Sequence, residues 1–263
     1  MKGARHGTVH WYVGIIHARV SNALSRVAAK SPSTFVPTFS WRAAWKTVMM
    51  MAAWALFSVN ANADWNHFQL APPGSAAFLG KITAVSRIPG SMEVWWIAQD
   101  GSVQDANWYE GRQWNQFTLA PPGSADTTSR IAAVSRIPNS MEIWWIGPYG
   151  SVEGAYWYEG GQWNRYQLAP PGSADWGAGI TAVSRIPNSM EVWWVGLDGS
   201  VQDANWYEGG QWNRFELALP RSASGLNSIT AVSRIPNSME VWWLGPDESV
   251  WDANWYEGGG VNP

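Results

Sequence analysis

Four copies of one 49-residue unit, kept in phase from Trp65 to Gly259, limit what this chain can fold into more than any other feature. Ser-Arg-Ile-Pro begins at Ser86, Ser135, Ser184 and Ser233. A Trp-Trp pair begins at Trp95, Trp144, Trp193 and Trp242, and Trp-Tyr-Glu-Gly begins at Trp108, Trp157, Trp206 and Trp255. Constant phase excludes insertions, so every copy builds the same small unit. A unit of this size cannot bury its apolar face alone and has to stack on its neighbours.

The third copy shows the elements in order. Residues 180–185 alternate and are β-branched, which predicts a strand ending at the turn cluster Pro187-Asn188-Ser189. Residues 190–195 form a second strand, and Gly196 to Gly199 a hairpin of the Asp-Gly kind. Residues 201–207 give a third strand, 208–210 a turn and 212–217 a fourth strand; no segment has a helical period. The expected fold is all-β, a β-propeller of four-stranded antiparallel blades with four repeats present.

The two ends of the repeat region complement each other. Residues 65–70 match a fourth strand, while the last copy stops at residues 258–260, before its own. The expectation is that Trp65 to Leu70 pairs beside Val250 to Tyr256 as fourth strand of the last blade and seals a four-bladed ring. Such a ring must turn by about 90° per blade. The alternatives are an open arc completed by a second chain, hence a homo-oligomer, or a truncated gene product.

Residues 1–63 contain seven Lys and Arg and no Asp or Glu, so this segment carries +7 while the remainder has 10 basic and 20 acidic residues. Residues 41–63 read as a signal peptide: Arg42 and Lys46, an apolar run from Val48 to Val59, then Ala61-Asn62-Ala63 before Asp64. About a dozen apolar residues are too few to span a bilayer, which needs roughly 20. Residues 1–40 are a basic leader, explained by a misassigned start codon or by a mitochondrial-type presequence, which suits the sharp cleavage site less well. Residues 64–263 are the repeat domain, expected to be secreted or periplasmic, without membrane insertion after cleavage.

Several chemistries are disfavoured. There is no cysteine, hence no disulfide framework and no thiolate site. His67 is the one histidine after residue 63, so no metal and no cofactor is expected. A domain with twice as many acidic as basic residues repels nucleic acid. Glu and Asp occur in every copy, but a catalytic pair is a single constellation and is not copied four times, so the expectation is a binding protein and not an enzyme.

Eighteen of the 22 tryptophans follow residue 63, more than packing alone usually recruits. Alternation puts Glu93, Trp95 and Ile97 on one face of their strand and Val94 and Trp96 on the other, so each Trp-Trp pair divides between two blade faces and both rings could be buried. At one rim the turn between strands one and two is flanked by Arg87 and Glu93, Arg136 and Glu142, Arg185 and Glu191, and Arg234 and Glu240. The turn between strands three and four brings Tyr109 and Trp114, Tyr158 and Trp163, and Tyr207 and Trp212 to the same rim, with Trp95, Trp144, Trp193 and Trp242 beneath. Aromatic faces beside Arg and Glu in an interblade cleft suit a sugar, whose C–H groups rest on indole and whose hydroxyls bridge charged groups. The alternative is that each Arg-Glu pair is an ion pair pinning its hairpin.

Residues 168–174, 182–194 and 199–207 resemble the repeats of the PLL-like bacterial β-propeller lectins, in near-verbatim runs, and the resemblance extends over residues 64–260. It implies a secreted lectin that recognises fucose-type or O-methylated sugars of glycans multivalently, in clefts between blades. The rim residues named above are read from the pattern and not carried over from the family. That family closes seven blades, whereas four copies stand here; Gly154 and Tyr156 depart in the second copy, and Glu248 and Trp251 in the fourth. The other function reading is a sugar-independent protein-interaction or structural propeller.

Overall fold

The computed structural model describes residues 66–225 and 228–258. The leader, the Ala61-Asn62-Ala63 pattern and the expected start at Asp64 lie outside these residues. Among them, fifteen strands form four antiparallel meanders in chain order. Blade 1 is β1 (Ile82–Val85), β2 (Ser91–Ile97), β3 (Val103–Tyr109) and β4 (Asn115–Ala120). Blade 2 is β5 (Ile131–Val134), β6 (Ser140–Ile146), β7 (Val152–Tyr158) and β8 (Asn164–Ala169). Blade 3 is β9 (Ile180–Val183), β10 (Ser189–Val195), β11 (Val201–Tyr207) and β12 (Asn213–Ala218). Blade 4 has three strands, β13 (Ile229–Val232), β14 (Ser238–Leu244) and β15 (Val250–Tyr256). The sheets are those of a β-propeller, and the short inner strands β1, β5, β9 and β13 neighbour one another in sequence.

Period-two alternation decides which side chain meets which neighbour. Val134, Trp144, Ile146 and Val152 of blade 2 pack against Ile180, Met190, Val192 and Trp194 of blade 3 in one buried cluster. The same positions, one repeat earlier and one later, make the other two junctions. The first tryptophan of each pair therefore faces the following blade and the second faces the preceding one, as the alternation requires. The second ring also holds the interblade connector: the indole N–H of Trp96, Trp145, Trp194 and Trp243 donates to the carbonyls of Ser75, Ser124, Ser173 and Ser222 at 2.9–3.1 Å. Each Ala-Pro-Pro-Gly-Ser loop is thus tied to the blade it leads into, and the leucine-bearing loop of blade 4 is tied likewise.

Among the described residues blade 4 does not close onto blade 1, which corrects the expected four-bladed ring. Ile131 is 5% exposed and Val134 is 7% exposed, because each is covered by an adjacent blade; their counterparts at the two ends, Ile82 and Val232, are 68% and 42% exposed. Residues 66–70 form no strand beside β15. Phe68 rests on Trp114 of blade 1 at 6.4 Å, and Leu70 O accepts from Gln116 Nε2. The physical reason is that the same bulky side chains fill every junction. Their volume sets the turn between blades, and tightening it to about 90° would overpack each junction.

Candidate functional site

Each of the three complete junctions carries the same polar cleft at one rim, and the arginine of Ser-Arg-Ile-Pro is its centre. Arg136 lies buried, with Nη1 donating to Asn188 Oδ1 of blade 3 at 2.5 Å and Nη2 donating to Tyr158 OH of its own blade at 2.6 Å. The guanidinium lies over the Trp206 ring of blade 3 at 4.8 Å. Arg185 repeats this with Asn237 at 2.6 Å, Tyr207 at 2.8 Å and the Trp255 ring at 4.3 Å. Arg87 does so with Asn139, with Tyr109 at 2.8 Å and with the Trp157 ring at 4.8 Å.

The asparagines do two jobs. Asn139, Asn188 and Asn237 all have φ between 63° and 66°, the left-handed conformation that the turn before β6, β10 and β14 needs and that Asn tolerates better than most residues. Their side chains then reach the arginine of the preceding blade. In blade 1 the same turn position is Gly90, with φ 74°.

Behind each arginine lies a buried carboxyl. Glu142 Oε1 is 3.7 Å from Arg136 Nε, too far for a hydrogen bond, and burial pushes this carboxyl up to about 8 despite the arginine. In blade 1 burial raises both Glu93 and Asp105, and the charge of Glu93 raises Asp105 further. Glu191 and Asp203 repeat that pair in blade 3. The Nε atoms of Arg87, Arg136 and Arg185 are buried and without a partner, as are Oδ1 of Asp105 and of Asp203.

Blade 2 solves the same packing differently. Trp95 Nε1 donates to Asp105 Oδ2 at 2.6 Å, whereas Trp144 Nε1 donates to Tyr166 OH at 2.8 Å. Gly154 stands where the aspartate would be, and a Cβ there would meet Tyr166 Cζ at 2.6 Å. The tyrosine hydroxyl replaces the carboxylate as acceptor, and Tyr156 adds a third aromatic ring 5.6 Å from Tyr158.

The structure brings most of the expected residues together but gives them different exposures. Arg, Glu and Tyr of blades 1, 2 and 3 converge at each cleft, with the Trp-Trp ring beneath. Trp95 and Trp144 are fully buried, and Trp163 and Trp212 stand edge-on to them at 6.1 and 6.0 Å. Beside Trp193 no described residue takes that place, and a cavity of ≈ 260 Å³ opens there between Glu191, Tyr207 and Trp255. Trp114 lies against Phe68 and belongs to no complete cleft, and Trp242 is half-buried at the end of the arc. The ion-pair alternative holds in blade 4, where Arg234 Nε bonds Glu240 at 3.2 Å in the open, and as a longer pair of 3.7 Å between Arg136 and Glu142 in blade 2; the guanidiniums of Arg87 and Arg185 are drawn to the next blade. Sequence reasoning missed the cross-blade partners Asn139, Asn188, Asn237, Trp157, Trp206 and Trp255, and the aspartates Asp105 and Asp203. Among the described residues no group of His, Asp and Glu is placed to hold a metal ion.

No protein-family model matches the sequence, and no curated protein is significantly similar to it. Solved structures do match the fold. BP39L lectin from Burkholderia pseudomallei superposes with a TM-score of 0.62 at 24% identity, over 69% of this chain and 54% of that one. AofleA from Arthrobotrys oligospora gives 0.58 at 18% identity, over 71% and 56%. The fucose-recognising, six-bladed propeller lectin of Aleuria aurantia gives 0.52 at 18%, over 70% and 61%. The chain thus spans a little over half the length of the structures it matches.

Proposed function

We propose that this protein is a secreted carbohydrate-binding protein that holds fucose-type or O-methylated sugars in the clefts between its blades, several per molecule. One observation carries the reading. In all three complete clefts a buried arginine Nε makes no hydrogen bond and stands beside a buried glutamate. A sugar hydroxyl suits that place, since it can accept from the charged Nε–H and donate to an oxygen of the glutamate carboxyl at once, and a hydrogen bond from a charged donor is a strong one. Tyrosine and tryptophan at the same place offer apolar faces to the C–H side of the ring. The ≈ 260 Å³ cavity beside Glu191 falls below the ~300–1,000 Å³ of pockets for drug-sized ligands and fits one monosaccharide. Propellers of this fold from Burkholderia pseudomallei and Aleuria aurantia are lectins, and the latter is a fucose lectin.

A glycan array tests the reading. Retention of fucosylated or O-methylated glycans by the chain supports it, with weak binding per site and avidity gained by linkage, roughly 10²- to 10⁴-fold. A blank array, with no change of tryptophan fluorescence on adding simple sugars, sinks it and favours a sugar-independent interaction propeller.

A further inference from the structure

The two open ends of the arc are halves of the junction that the chain builds three times internally. The face of blade 4 that would meet a following blade exposes Val232, Leu244 and Val250; the face of blade 1 that would meet a preceding one exposes Ile82 and Met92. These are the same positions that interlock at the internal junctions, so their complementarity is already realised in the molecule. Residues 66–70 add a second observation. Phe68 contacts Trp114 at 6.4 Å, and the equivalent pair across blades 2 and 3, Tyr166 and Trp212, is also at 6.4 Å. The segment thus stands where the fourth strand of a blade preceding blade 1 belongs, and the described residues hold no other strand of such a blade. Blade 4 has the converse arrangement: among the described residues it has three strands, no strand pairs with the outer edge of β15, and Trp251 is exposed.

We propose that a second copy of the chain docks head-to-tail on this one, blade 4 of each packing onto blade 1 of the other, so that residues 66–70 of one copy become the fourth strand of the other copy's last blade. Such a heterologous contact closes into a ring when two junctions form, and it removes both apolar faces and the unpaired edge. Gly90 of the partner side offers Arg234 no asparagine, so Arg234 keeps Glu240 at the shared junction.

Light scattering on the purified full chain is the test, and its outcome is independent of sugar binding. A dimer is expected. Ile82→Glu and Val232→Glu alter side chains exposed in a single copy, so both variants should keep the wild-type circular dichroism while becoming monomeric. Mixing the two should restore pairs, because each supplies the intact face the other lacks. The β11–β12 register pairs Gln202 with Glu216, which places Trp251 opposite Gln69 of the other copy. With no other cysteine in the chain, Gln69→Cys mixed with Trp251→Cys should give a disulfide-linked pair. A monomeric wild type, a dimer indifferent to both glutamate variants, or no cross-link in the mixture would each overturn the proposal.

Discussion

The arginine of each cleft spends its hydrogen bonds in two directions, and that division explains both its burial and its orphaned Nε. Where a following blade is present, Arg87, Arg136 and Arg185 reach its asparagine; where none is, Arg234 turns back to Glu240. Glu191→Gln replaces an ionisable carboxyl by a neutral amide of the same shape, which leaves one acceptor oxygen and puts an NH2 donor where the second was. It should lower sugar affinity at its cleft about 10-fold or more, as expected for a hydrogen bond to a charged group. Calorimetric titration reads the change, and an unaltered affinity would place the sugar elsewhere. Glu142 supplies a pH signature of its own. Burial pushes its folded carboxyl up to about 8 from the usual 4.5, so its contribution is fully present below pH 4.5 and is lost as pH rises through 8, where the native state must hold a buried charge. Urea melts across that window should show stability falling, and Glu142→Gln should flatten that fall.

The blade is the element, and its sequence pattern predicted the strands well because alternation and turn chemistry are local. The expected strand 201–207 coincides with the observed one, and 180–185, 190–195 and 212–217 differ from theirs by one or two residues at one or both ends. The cleft was less legible. Tyr158 and Glu142 sit within one hairpin of Arg136, but Asn188 and Trp206 come from the next repeat, and only the turn of blade against blade brings them in. Asn188 did carry a signal, since the position is asparagine in three copies and glycine in the first, which has no copy of the Ser-Arg-Ile-Pro motif before it. The departure of the second copy at Gly154 is, in space, one half of a coupled exchange with Tyr166. Gly154→Asp should therefore destabilise the protein by about 1–3 kcal/mol through overpacking against Tyr166. Adding Tyr166→Phe should recover most of the loss, since blade 2 then has the Asp and Phe of blades 1 and 3. Thermal melts of the single and double variants decide this, and additive effects would break the coupling.

For the molecule as a whole, closure was beyond the reach of the repeat pattern. The pattern shows which faces match, but the angle between blades comes from the volumes of Trp144, Met190 and their equivalents at the junctions. What the repetition does predict is multiplicity, with one cleft of the same design at each junction. The most direct measurement is a calorimetric titration of the purified chain with α-methyl-L-fucoside, followed in parallel by tryptophan fluorescence. The account predicts saturable binding at more than one site per chain, weakened when Glu191→Gln and Glu93→Gln are combined. Absence of heat and of any fluorescence change with this sugar and its O-methylated derivatives would contradict it.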